Sequence, residues 1–169
     1  GKKTVPISVN VSRTHFTRED LAEHICRIVD KYEVPHHLIE LELTESAFFD
    51  DKHMILNTVH KMQELGFVVS MDDFGSGYSS LNSLKELHLD VLKIDGEFFR
   101  GLDAESFREH NNIEERGLLI VAEVIDLAKK LNMQIVAEGI ESREQVDFLV
   151  SQECDLIQGY FFAKPMPVE

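Results

Sequence analysis

Phe67-Val68-Val69-Ser70-Met71, running into Asp72-Asp73-Phe74-Gly75, is the stretch that decides the fold. A short β-branched run reads as a strand, and such runs alternating with helical patterns mark parallel α/β architecture. Before it lies a helical pattern with Ile55, Val59, Met62 and Leu65 on one face, stopped by Gly66, a natural residue just past a helix end. The strand therefore follows a helix and ends in acids.

The same unit recurs in both directions. Upstream, residues 38–43 form a strand-like run ending in Thr44-Glu45-Ser46. The helix before it shows an inward stripe of Leu21, Ile25, Ile28 and Val29, closes at Pro35, and starts near Thr17 with Asp20 three residues on, close to a capping box. Residues 5–11 give the first run. Downstream come a short helix over 81–87, a run at 91–94, a longer acidic segment over 98–115, and a helix facing inward with Leu118, Val121, Ile125 and Ala128. A run at 134–137 ends at Glu138. Ser142 and Gln145 then form a capping box for a helix with Val146, Leu149 and Val150 inward, and residues 155–157 end at Gln158-Gly159. About six β/α units in 169 residues make parallel α/β architecture. A complete (β/α)₈ barrel takes ~250 residues, so length alone favours an open doubly wound sheet, and the choice falls to the polar residues.

Composition sets the outer bounds. With 43% apolar and 28% charged residues, this is ordinary globular composition. No apolar run approaches the ~20 residues of a membrane span, and Leu118 to Ala122 reads as part of a buried helix. Gly1-Lys2-Lys3 leads into a strand-like run and not into a signal peptide. Cys26 and Cys154 are far apart with no CxxC spacing, which implies reduced thiols and a cytoplasmic setting, with no membrane contact by this segment. A net charge of −14 argues against DNA as a partner, although an anionic substrate remains accessible where divalent cations reverse the local field.

At the C-terminal end of nearly every run sits a residue fit for ligation or catalysis: Asn10, Glu42, Asp72 with Asp73, Lys93, Glu138 and Gln158. Parallel α/β folds build their sites at this end of the sheet, so these residues are expected to converge on one face. Two carboxylates ~4 Å apart repel by about 4 kcal/mol at an effective dielectric of 20, a cost that hard cations with oxygen ligands remove. Paired metals would then suit phosphodiester hydrolysis. Asp72 and Asp73 could both reach a metal only if Asp73 already lies in the turn, because consecutive strand residues point to opposite faces. Gly75-Ser76-Gly77-Tyr78-Ser79-Ser80 matches neither GxGxxG nor a P-loop and reads as a loop over the site. The eight histidines form no zincin spacing and read as surface or helix-face residues.

These residues also carry a resemblance. Asn10-Val11-Ser12, Glu42-Leu43-Thr44-Glu45-Ser46, Asp72 through Leu81, Leu92-Lys93-Ile94-Asp95, Val136 through Glu141, and Gln158-Gly159-Tyr160 closely resemble the EAL-domain family, bacterial phosphodiesterases that linearise cyclic di-GMP to pGpG with magnesium or manganese. The resemblance runs from about Val5 to Pro167, with the motifs in family order. It implies that Asn10, Glu42 and Asp72 bind one metal, and that Asp72, Asp73 and Glu138 serve a second, Glu138 also being a general base. It makes Lys93 the holder of the water or phosphate and Gln158 an aid to water placement. Glu45 would fasten the loop, Glu141 and Asp95 would support the substrate side, and Tyr160 to Pro165 would border a guanine pocket. The Glu-Ala-Leu signature itself is absent from residues 1–169 and belongs upstream of Gly1, on the second barrel strand.

The expectation is one partial EAL domain over residues 1–169, an incomplete TIM-type barrel of about six parallel strands with the first two missing. Apolar barrel-facing residues such as Val9 and Val11 would be uncovered, favouring a homodimer or self-association. Sensory or GGDEF-like domains would lie upstream in the parent protein. A module that binds the dinucleotide without turnover, or an inert fragment, are the alternatives to a hydrolase.

Overall fold

The computed structural model describes residues 4–18, 20–44, 47, 52–75, 81–99 and 114–167. Glu45, the loop at 76–80 and most of the acidic segment at 98–115 lie outside them. The chain divides into two compact units, Gly1–Val91 and Leu92–Glu169.

In the first unit, β1 (Ile7–Asn10), α1 (Leu21–Lys31), β2 (Ile39–Thr44), α2 (Lys52–Glu64), β3 (Val68–Phe74) and α3 (Leu81–Glu86) alternate along the chain. Its strands lie in the order β1-β2-β3, and both pairings are parallel. Leu41, Leu43, Val69 and Met71 are buried, as are Ile55, Val59 and Met62 of the α2 stripe, and α2 packs on β3. Each βαβ step needs its helix to recross the sheet, and the apolar stripe drives that packing. Gly66 ends α2 with a φ of 89°, as a residue past a helix end should, and Phe67 N–H donates to the Met62 carbonyl.

The second unit starts one residue into β4 (Val91–Ile94) and continues through α4 (Glu114–Lys130), β5 (Gln134–Ala137), α5 (Arg143–Ser151) and β6 (Leu156–Ile157). β5 and β6 are parallel, with Val136 opposite Leu156 and Ala137 opposite Ile157. Its core gathers Leu92, Ile94, Phe99, Val121, Ile125, Ala128, Ile135, Ile140 and Leu149. The capping box of α5 forms as expected: Gln145 N–H donates to Ser142 Oγ at 3.3 Å, and Gln145 Oε1 accepts from Ser142 N–H at 3.1 Å.

Several local expectations need correction. Thr17 closes a 3₁₀ turn, Arg13–Thr17; α1 starts after Asp20, whose side chain makes no capping bond. Val150, expected inward, is exposed because it lies one residue, or about 100°, beyond Leu149 on the helix. Leu119 and Ile120 are exposed too, so the run from Leu118 is a helix with one buried stripe and not a buried segment throughout. Val11 is buried, while Val9 shares a cavity of about 390 Å³ with Leu21, Ile25 and Ile28 of α1. Val9 and Val11 thus belong to the helix-facing side of β1, opposite in strand parity to Asn10. Among the described residues no helix is long and apolar enough to cross a membrane.

Candidate functional site

In the first unit the sheet register sets the geometry. Asn10 stands opposite Glu42 and Glu42 opposite Ser70, while Thr44 stands opposite Asp72. Cross-strand partners share a face and residues two apart along a strand share it too, so Asn10, Glu42, Ser70 and Asp72 belong to one side of the sheet. Neighbouring strands are ~4.8 Å apart, so Asn10 and Glu42 are adjacent across one strand pair and Glu42 and Ser70 across the next. Glu42 is buried, Asp72 half-buried, and Ser70 fully buried with its Oγ lacking a hydrogen-bond partner among the described residues.

Asp73 shows how two consecutive acids can escape strand alternation. It is the penultimate residue of β3, but its φ of 55° is left-handed and Gly75 follows at 97°. Asp tolerates this region better than most residues. Its N–H donates to Asp72 Oδ1 at 3.0 Å, holding that carboxylate against the start of the turn. The anticipated turn thus begins inside the strand's last two residues.

In the second unit, Lys93 is 7% exposed and its Nζ lies 2.7 Å from Glu138 Oε1. A buried ammonium is tolerated because the carboxylate compensates it; removing either partner would strand the other charge. Glu138 N–H donates to the Ile94 carbonyl, Gln158 N–H to the Ala137 carbonyl, and Ile140 N–H to the Gln158 carbonyl. These bonds extend the ladder beyond β5 and β6, leaving Glu138 and Gln158 side by side at its C-terminal end. Two glycines allow the close passage. A Cβ on Gly159 would lie 2.0 Å from the Ile140 oxygen, and Gly139, with φ 68°, passes against Gly96.

A cavity of about 430 Å³ opens here, lined among others by Glu138, Glu141, Gln158, Tyr160, Lys164 and Pro165. That volume is within the ~300–1,000 Å³ of ordinary ligand pockets. Lys164 Nζ sits 5.6 Å from the Tyr160 ring centre, so an aromatic face and a cation border one opening. Lys164 falls within the 160–165 stretch expected to border a pocket, but no role was read for it because it stands at no strand end. Asp95 instead organises the backbone: its Oδ1 accepts from Glu97 N–H at 2.6 Å, starting the 3₁₀ turn Gly96–Phe99.

The oxygen-only set on the first unit's sheet, with the orphaned Ser70 hydroxyl beside it, suits hard divalent cations and not soft ones. Among known protein families the chain matches the EAL domain over residues 1–165. It is 33% identical over 168 residues to the cyclic di-GMP phosphodiesterase NbdA of Pseudomonas aeruginosa, covering 99% of this chain and 20% of that protein. The chain thus spans about a fifth of the length of such curated relatives. The solved MucR phosphodiesterase of Pseudomonas aeruginosa, a c-di-GMP complex, aligns with a TM-score of 0.82 at 33% identity, over 96% of this chain and 62% of that one. BlrP1 of Klebsiella pneumoniae, solved with manganese and cyclic di-GMP, shares the fold with a TM-score of 0.81 at 24% identity, over 95% of this chain and 39% of that one. The fold class is accordingly α/β of the TIM-barrel type.

Proposed function

Because this chain belongs to the EAL domain family, we propose that it forms the greater part of a phosphodiesterase domain that linearises cyclic di-GMP to pGpG. The observation that carries this reading is the oxygen set of Asn10, Glu42 and Asp72 aligned by register on one sheet face. These three would hold a magnesium or manganese ion with Asp73 beside them, and in the second unit Glu138 would be the carboxylate available to a further ion. Such ions supply Lewis-acid polarisation of phosphate oxygens and offset the repulsion among the carboxylates. Glu138 takes the proton of the attacking water, Lys93 fixes the carboxylate that does so, and Gln158 accepts or donates to orient the water. Tyr160 and Pro165 offer a face for a purine, Glu141 a hydrogen-bond acceptor at its edge, and Lys164 a cation for phosphate.

The setting is cytoplasmic, with sensory or GGDEF-like domains upstream in the parent protein and self-association of the domain. The test is magnesium-dependent conversion of cyclic di-GMP to pGpG by the purified protein, followed by chromatography. Turnover that is lost with chelator supports the proposal. Tight binding without product would favour a regulatory module, and neither binding nor turnover would overturn the reading.

A further inference from the structure

Cys26, Asp30 and His36 converge at the C-terminal end of α1, and nothing in cyclic di-GMP hydrolysis uses them. Cys26 and Asp30 are four residues apart, hence on one helix face, and Pro35 opens the 3₁₀ turn His36–Leu38 that returns His36 to that face. Cys26 Sγ lies 3.4 Å from Asp30 Oδ2 and 4.0 Å from His36 Nε2, while His36 Nε2 lies 2.8 Å from Asp30 Oδ1.

The imidazole is held from two further sides. Its Nδ1 meets the Leu65 carbonyl, and its ring stacks on Phe67 with centroids 4.5 Å apart at 12°. A carbonyl only accepts, so Nδ1 carries the proton and Nε2 faces the carboxylate and the thiol. A histidine whose far nitrogen donates to a backbone carbonyl is oriented as metal-ligating histidines are. With a lone pair on Nε2, two acceptors confront each other across 2.8 Å, and only a proton or a cation between them makes the contact attractive.

We propose that Cys26, Asp30 and His36 bind a zinc-type divalent cation, with water as fourth ligand. One sulfur, one nitrogen and one oxygen donor suit zinc and not magnesium. Zinc bonds of ~2.3 Å to sulfur and ~2.0–2.1 Å to nitrogen or oxygen set tetrahedral neighbours about 3.3–3.6 Å apart. The 2.8 Å from His36 Nε2 to Asp30 Oδ1, the 3.4 Å from Cys26 Sγ to the other Asp30 oxygen and the 4.0 Å from Cys26 Sγ to His36 Nε2 bracket that range, so small side-chain rotations would set one carboxylate oxygen, the sulfur and the nitrogen around one ion. The Asp30 side chain is 60% exposed, which leaves room for the water. Binding displaces the Cys26 thiol proton and the proton shared by His36 and Asp30, forming one bond from the metal to each side chain. The ion would pin the end of α1 to the turn at Leu65 and Phe67.

The test titrates the whole protein with cobalt(II) alone as a spectroscopic probe. The expected result is a thiolate-to-cobalt charge-transfer band saturating at one equivalent, abolished by zinc and untouched by excess magnesium. C26S removes the band, H36Q weakens cobalt affinity at least ~10-fold, and C154S and D72N keep it. Circular dichroism verifies that each variant is folded, and zinc raises the melting temperature of the wild type but not of C26S. Absence of the band in folded wild type, or its survival in C26S, would overturn the site.

Discussion

Asp72 is the residue on which the proposed metal site of the first unit turns: it shares the face of Asn10 and Glu42 and is held by the N–H of Asp73. D72A should lower cyclic di-GMP turnover at saturating magnesium by at least ~100-fold, since groups one layer further from a metal already cost ~10–100-fold. Near-normal turnover would refute the assignment. That Asp72 stands at a strand end was legible from the apolar run before it. The left-handed backbone of Asp73 was foreshadowed only by the need for both acids to act together. His36 escaped the sequence reading because its partners Cys26 and Asp30 become neighbours only once Pro35 turns the chain back onto α1. Cys154 offers a separate check. Burial raises its thiol pKa above the ordinary value, outweighing the backbone hydrogen bonding at Leu156 and Ala137 that lowers it. The reactive thiolate is therefore scarce near neutral pH, and Cys154 should alkylate more slowly than a free thiol, speeding up as pH rises through the shifted value. Peptide mass spectrometry after timed iodoacetamide labelling reads this directly, and labelling as fast as an unfolded control would contradict it.

Elements were more legible than residues, because periodicity is a local signal. The α2 stripe, the Gly66 stop and the Ser142–Gln145 capping box all form as the pattern requires. The pattern failed where three-dimensional neighbours decide, as at the exposed Val150 and Leu119. It also gave no hint that the Gln145 amide reaches 46 residues back, donating to the Phe99 carbonyl at 3.1 Å. This double duty makes a prediction about α5. S142A removes one cap bond and should cost ~1 kcal/mol of stability. Q145A removes the reciprocal cap and leaves the Phe99 carbonyl without that donor, so it should cost more, ~2–3 kcal/mol. Equal losses in urea unfolding would show that the long-range bond contributes nothing. The crossing of Gly159 over Ile140 is similarly strict. G159A forces the backbone apart and should cost ~2–3 kcal/mol, while loosening the cavity bounded by Tyr160 and Pro165. Calorimetry paired with cyclic di-GMP titration would test both effects, and an unchanged melting temperature would exclude the clash.

At the scale of the whole molecule, family identity was legible from ordered motifs at strand ends, whereas exposure was not, since it depends on what covers each strand. In the first unit β1 pairs, among the described residues, with β2 alone, and Val5, Ile7 and Val9 are 67%, 60% and 46% exposed. Ile28 of α1, at 48%, continues the apolar surface along the groove that Val9 lines. An edge strand offers unpaired backbone donors and acceptors to any other strand, and natural edges are protected by charge, by shortness or by a cover. β1 has shortness, at four residues, but no charged side chain among Ile7, Ser8, Val9 and Asn10. Opposing this is the net charge of −14, which repels a second copy over roughly the ~10 Å Debye length at 0.1 M salt. Salt should therefore promote association: residues 1–169 should move from monomer toward dimer or larger species as ionic strength rises. I7K places a charge on the edge and should hold the chain monomeric at the same salt, with its circular dichroism unchanged. Sedimentation velocity across a salt series distinguishes the cases. A wild-type chain that stays monomeric at high salt, or an I7K chain that associates as readily, would show that β1 is not the adhesive surface.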